Sequence, residues 1–185
     1  MIEEILLDTE EKMEDAVEAL KRELASIRTG RASPALIEHV KVEYAGSLLP
    51  IKHIASVSVS GASLLLIQPW DPTTTPNIEK ALLRSNLGLT PSTDGSLIRL
   101  NIPPLTEERR LELRKLVKKR VEEGKISIRG IRRDGTDRLK QVERNKEISQ
   151  DEHKRASNKI QLLTDNFVNT AEQVGQNKEA ELMEV

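Results

Sequence analysis

Cysteine is absent from the chain, which excludes disulfides, a thiol nucleophile and cysteine-based zinc sites. Aromatics are nearly absent: Tyr44, Trp70 and Phe167 are the only rings. Stacking platforms for single-stranded nucleic acid present several rings on one face, so RRM-like and OB-like binding is not expected. Long hydrophobic runs are missing too. The longest strongly apolar stretch is Leu64 to Ile67, far short of the about 20 residues of a membrane span. The N-terminus carries Glu3, Glu4 and Asp8, unlike a signal or transit peptide. A soluble, cytoplasmic protein with no membrane partner is expected.

Proline is missing from both ends. All eight prolines lie between Pro34 and Pro104. Charge is scarce in the same stretch: residues 32–105 hold 10 charged side chains in 74, against 49 in the other 111. Proline interrupts helices, and a charge-poor, turn-rich stretch suits strands. The expected layout is a helix, an inserted β-rich module, then two more helices.

The charged ends repeat their apolar residues at three- and four-residue spacing, which marks one face of a helix. The first helix is expected from residue 2 to 29, with Ile2, Ile5, Leu6, Met13, Ala16, Val17, Leu20, Leu24 and Ile27 on its stripe. The second opens after Thr106 as N-cap and runs to about Asn145. Its seam is Leu113, Val117, Val121, Gly124, Ile128, Ile131, Gly135, Leu139 and Val142. Ser149 with Glu152 forms a capping box for the third, which carries Ala156, Ile160, Leu163, Phe167, Ala171, Val174 and Leu182. Three single-striped helices bury their stripes on one another as an elongated three-helix bundle.

In the middle, Val40, Val42 and Tyr44, then Val57 and Val59, then Ile98, Leu100 and Ile102, alternate with polar residues. Period 2 predicts half-buried strands, and Leu64–Ile67 a more deeply buried one. Thr75-Pro76 opens a short helix that Gly88 is expected to stop, and Asp94-Gly95 is a turn signal. The fold class is α+β. Residues 1–30 and 105–185 form the discontinuous bundle, and residues 31–104 an inserted β/α/β domain. Thr29, Gly30, Arg31, Ala32, Pro103 and Pro104 lie in the two linkers. Two short strands side by side permit a swing about an axis, with Gly30 absorbing unusual backbone angles. A rigid elbow is the other reading.

Net charge is −1, but it is unevenly spread. Residues 1–30 sum to −5, 31–106 to +1, 107–140 to +6 and 141–185 to −3. On a wheel of about 100° per residue, one arc of the second helix gathers Arg114, Lys115, Lys118, Lys125, Arg129, Arg132, Arg133 and Lys140. Such a stripe can follow a phosphate backbone, and arginine can grip phosphate with two parallel bonds. A solvated face, or pairing with the acidic neighbouring helices, would use the same charges. The catalytic search is negative. His39, His53 and His153 show no metal-ligand spacing, and there is no phosphate-binding glycine loop or nucleophile elbow. No enzyme activity, cofactor or metal is expected.

Several stretches resemble the ribosome recycling factor family along the whole chain. They are Ile27 to Pro34 (IRTGRASP), Leu87-Gly88-Leu89, Pro103 to Arg110 (PPLTEERR), Arg129 to Asp134 (RGIRRD), Lys146 to Ser149 and Lys178 to Leu182. The resemblance implies an L-shaped arrangement, with the inserted domain roughly at a right angle to the bundle. It implies a monomeric, non-enzymatic translation factor of the cytoplasm. With elongation factor G and GTP, such a factor dissociates post-termination ribosomes into subunits for reuse. It also implies that the bundle lies on ribosomal RNA of the large subunit. Arg132 matches the family's critical arginine, and Arg129, Arg133, Arg110, Arg28 and Arg31 match others near the RNA-facing side or elbow. The linkers Thr29–Ala32 and Pro103–Pro104 then act as the hinge. The chain departs from the family at Gly130, usually Asn, and at Ala45-Gly46, commonly Tyr-Gly. Gly130 and Gly135 inside a helix each cost about 1 kcal/mol relative to Ala. Two rivals stand beside this reading: a coiled-coil-type protein adaptor with no ribosome role, and a hydrolytic or phosphotransfer enzyme using the histidines.

Overall fold

The computed structural model describes residues 1–85 and 87–184. The chain is α+β and divides into two compact units. One combines Met1–Leu24 with Glu112–Val185, and the other is the continuous stretch Ala25–Leu111.

The first unit is built on three helices: α1 (Ile2–Ala25), α3 (Glu107–Arg144), most of which belongs here, and α4 (Gln150–Met183). Caps set the starts of the last two. Thr106 Oγ1 accepts from the Arg109 N–H at 3.1 Å, and Ser149 Oγ accepts from the Glu152 N–H at 3.1 Å. Each satisfies an orphan donor of the first turn. α1 stops at Ala25, four residues before the sequence expectation, and the chain then bends through Gly30 at φ +81°.

The three stripes meet as expected but with shifted members. Met13, Val17, Leu20, Leu24, Val117, Ile128, Leu139, Ala156, Ile160, Ala171 and Leu182 are buried. On α4, Leu163, Phe167 and Val174 are only half-buried, and Thr164 and Gly175 take inward positions instead. A buried hydroxyl must find a partner. Thr9 and Thr164 each donate to the carbonyl four residues back, on Ile5 at 2.7 Å and Ile160 at 2.8 Å. Glycine supplies the close approaches. A Cβ on Gly135 would lie 2.8 Å from Thr9 Oγ1, and one on Gly175 would lie 2.5 Å from Val121 Cγ2. Ion pairs tie the helices outside the core. Arg138 reaches Asp8 at 2.5 Å, and Arg120 reaches Glu23 at 3.9 Å. Hydrogen bonding from Lys12, joined by Arg138, holds the Asp8 carboxyl below its ordinary value.

The second unit holds a two-stranded hairpin, β1 (Lys41–Tyr44) with β2 (Ser47–Pro50), and a four-stranded antiparallel sheet. That sheet has the order β3-β4-β6-β5, from β3 (Ala55–Ser60), β4 (Leu64–Pro69), β5 (Pro91–Asp94) and β6 (Leu97–Asn101). Helix α2 (Thr75–Arg84) packs against β1. The core is Ile37, Val42, Ile51, Leu65, Ile67, Ile78, Ile98 and Leu100, all fully buried. Two expectations are corrected. Val59 is 45 % exposed rather than half-buried, because it sits near the end of edge strand β3, beyond the core. α2 stops at Arg84 and not at Gly88. Ser85 turns extended and its hydroxyl donates to the Leu82 carbonyl at 2.6 Å, while Gly88 at φ +68° serves the following loop.

Candidate nucleic-acid interface

The stripe on α3 is real as a set of positions, but its members differ in what they are free to do. Lys125 is paired with Glu172 of α4, and Arg114 approaches Glu179 of α4 at 3.7 Å. These two act as cross-helix ties, so part of the stripe serves the bundle itself. Arg129 is exposed and reaches Glu122 on its own helix at 3.6 Å, a contact of small energetic weight at such exposure. Arg133, Lys115, Lys118 and Lys140 are exposed and have no ion-pair partner among the described residues.

Arg132 occupies a different setting. The residue is half-buried, and its Nη1 donates toward Gln161 Oε1 of α4 at 3.5 Å. Gln161 in turn donates from Nε2 to Asp165 Oδ1 at 2.9 Å. The Gln161 amide thus stands between the Arg132 cation and the Asp165 carboxylate, and the cation is oriented without being neutralised. Gln161 could not be read from the sequence as part of this surface. Its place depends on the phase of α4 against α3, which no spacing within either helix reveals.

Arg28, Arg31 and Arg110 belong to the second unit, with the linkers. Arg28 and Arg110 are half-buried and Arg31 is exposed. Arg110 Nε is buried with no hydrogen-bond partner among the described residues, so packing holds this part of the side chain. The two linker segments run close to each other at Gly30. A Cβ on Gly30 would stand 3.3 Å from the Leu105 backbone N and 3.7 Å from Pro104 Cα. With φ at +81° as well, only glycine fits there without strain.

The histidines gain no catalytic company. His39 and His53 are exposed, and His153 pairs with Glu143 across the α3–α4 turn. Among the described residues no cluster of His, Cys, Asp or Glu could hold a metal ion, and no helix is long and apolar enough to cross a membrane.

A helical unit carrying a cationic face, interrupted by a small sheet unit, defines an α+β binding protein whose surface chemistry suits phosphate. The ribosome recycling factor family model matches residues 20–183. The ribosome-recycling factor of Dehalococcoides mccartyi (strain CBDB1) is 53% identical over 185 residues, covering 100% of both chains. That of Heliobacterium modesticaldum is 52% identical with the same coverage. A solution structure of ribosome recycling factor superposes with a TM-score of 0.81 at 43% identity, covering 100% of this chain and 98% of that one. A T. thermophilus ribosome recycling factor, placed with E. coli elongation factor G on the E. coli post-termination complex, gives a TM-score of 0.70 at 43% identity, with both chains fully covered. The chain belongs to the ribosome recycling factor family. Its role is therefore in ribosome recycling during protein biosynthesis, as a translation factor. The adaptor reading, which gave the protein no ribosome role, loses its footing with that membership.

Proposed function

We propose that this protein, with elongation factor G and GTP hydrolysis by that partner, dissociates post-termination ribosomes into subunits, acting as a monomer in the cytoplasm and catalysing no reaction itself. The bundle, residues 1–30 and 105–185, docks on ribosomal RNA of the large subunit. Arg129, Arg132 and Arg133 form the anchor, and Arg110, Arg28 and Arg31 extend it near the linkers. Domain 31–104 swings on the hinge Thr29, Gly30, Arg31, Ala32, Pro103 and Pro104 and receives the partner's push. The relative placed with elongation factor G on a post-termination complex supports both partners.

The observation that carries the anchor is the cationic run around Arg132, where Arg132 and Arg133 have no ion-pair partner among the described residues and Arg129 keeps only an exposed contact to Glu122. Phosphate contacts position a protein without reading sequence. A rigid helix with oriented arginines supplies fixed spacing for them, and the Gln161 contact limits the rotamers that Arg132 must give up on binding.

The test is subunit splitting followed by light scattering, with post-termination ribosomes, elongation factor G and GTP. Wild type is expected to split them and Arg132→Ala to fail. Large-subunit binding by the variant should weaken about tenfold, with its salt slope reduced by about 1. Splitting by Arg132→Ala at the wild-type rate would remove the anchor. Binding without splitting by the wild type would separate the docking role from the push.

A further inference from the structure

Away from the α3 surface, one concavity lies wholly within the second unit. It is an open cleft of about 480 Å³ between the β1–β2 hairpin and α2. Its two walls are fixed before any ligand arrives. Val42 on β1 and Ile78 on α2 are fully buried in the core behind them. Asn77 Nδ2 of α2 also donates to the Glu43 carbonyl of β1 at 3.1 Å. A cleft between two anchored elements needs little reorganisation to receive a partner.

Its charge is lopsided. Lys41 from β1 and Lys80 and Arg84 from α2 line it against one carboxylate, Glu43. All three cations are exposed, and none has an ion-pair partner among the described residues. Lys80 and Arg84 are four residues apart on one helix, where like charges repel. An incoming anion would relieve that repulsion as well as pair with the cations.

The floor is not ionic. Val40 and Ala81 are half-buried there, and Leu48 of the hairpin is 67 % exposed at the rim. Leu48 is the most exposed large hydrophobic side chain among the described residues. A phosphate backbone would satisfy the cations but leave this apolar surface wet, and no aromatic ring lines the cleft to stack a base. An acidic peptide bearing an apolar residue covers both.

We propose that the cleft between the β1–β2 hairpin and α2 is a docking site for an acidic peptide segment of a protein partner. Its carboxylates pair with Lys41, Lys80 and Arg84, and an apolar side chain packs on Leu48. The site shares no residue with the α3 stripe.

The test titrates the full-length ¹⁵N-labelled protein with a synthetic peptide of glutamates and interspersed leucines. Amide shifts are expected at residues 40–43, 48 and 77–85. Lys80→Glu/Arg84→Glu should weaken binding by about tenfold or more, and Leu48→Ser by a few-fold. Lys52→Glu changes an exposed lysine outside the cleft and should leave affinity within about twofold of wild type, unlike Lys80→Glu alone. These side chains are exposed, and circular dichroism checks that each variant folds. Shifts confined to α3, or equal losses from Lys52→Glu and Lys80→Glu, would overturn the proposal. Oligouridylate shifting the same amides at lower concentration than the peptide would also overturn it, in favour of a phosphate-binding surface.

Discussion

Two glycines on long helices look alike in the sequence and have opposite roles in the structure. Nothing lies within 4 Å of a Cβ built on Gly130, and nothing in the structure explains why the residue is glycine. Alanine there keeps the helix and removes backbone freedom from the unfolded chain, so Gly130→Ala should stabilise the protein by about 0.5–1 kcal/mol. Gly175 faces Val121, whose Cγ2 would stand 2.5 Å from the new Cβ. Valine is stiff at χ1 and cannot turn its methyl away cheaply. The overpacking cost of about 1–3 kcal/mol outweighs the gain in helix propensity, so Gly175→Ala should destabilise. Urea unfolding of both variants reads the contrast. Adding Val121→Ala to Gly175→Ala should recover part of the loss, which separates steric contact from any other cause. Equal effects from the two alanines would refute this account of the α3–α4 crossing.

At the scale of elements, what was legible depended on whether the signal was local. The starts of α3 and α4 could be read because a cap acts within one turn, at Thr106 and Ser149. The cationic stripe could be read because it lies on one helix. β2 and β5 could not. Ser47–Pro50 and Pro91–Asp94 are four residues each, contain proline and lack apolar alternation, and only pairing with β1 and β6 makes them strands. The Lys125–Glu172 tie, the place of Gln161 and the cleft beside α2 were equally hidden, since each joins residues distant along the chain. The β1–β2 hairpin shows the same dependence on partners and gives an element-scale test. Its two-residue turn has Ala45 at φ +52° and Gly46 at φ +80°, the left-handed pair of a type I′ turn. Alanine adopts that region at a cost, and asparagine tolerates it better. Ala45→Asn should therefore stabilise the second unit by about 0.5–1 kcal/mol. Slower amide exchange in β1 and β2 would report it, and unchanged or faster exchange would count against the turn assignment.

For the whole molecule, the governing fact is that a net charge of −1 coexists with a segment of +6 at residues 107–140. Screening limits electrostatic reach to about 8 Å at physiological salt. Beyond that distance an RNA surface would meet a nearly neutral object, and the proposed docking needs α3 to be presented to it. In the proposed docking the acidic helix α1 would supply discrimination, by making wrong orientations repulsive and opposing binding to arbitrary RNA. Glu4, Glu11 and Glu14 are exposed on α1 and have no ion-pair partner among the described residues. Their joint replacement by glutamine leaves every described ion pair and the core intact and moves the net charge from −1 to +2. Binding to polyuridylate at low salt should tighten severalfold, because the barrier to disordered contact has been lowered. The salt slope of ribosome binding should stay as in wild type, because the proposed docking neutralises phosphates from α3 and not from α1. A filter-binding salt series on both substrates distinguishes the two effects. A steeper slope on the ribosome would mean that α1 itself lies against RNA. An unchanged polyuridylate affinity would mean that the acidic helix has no part in orientation, leaving discrimination to the spacing of the arginines on α3.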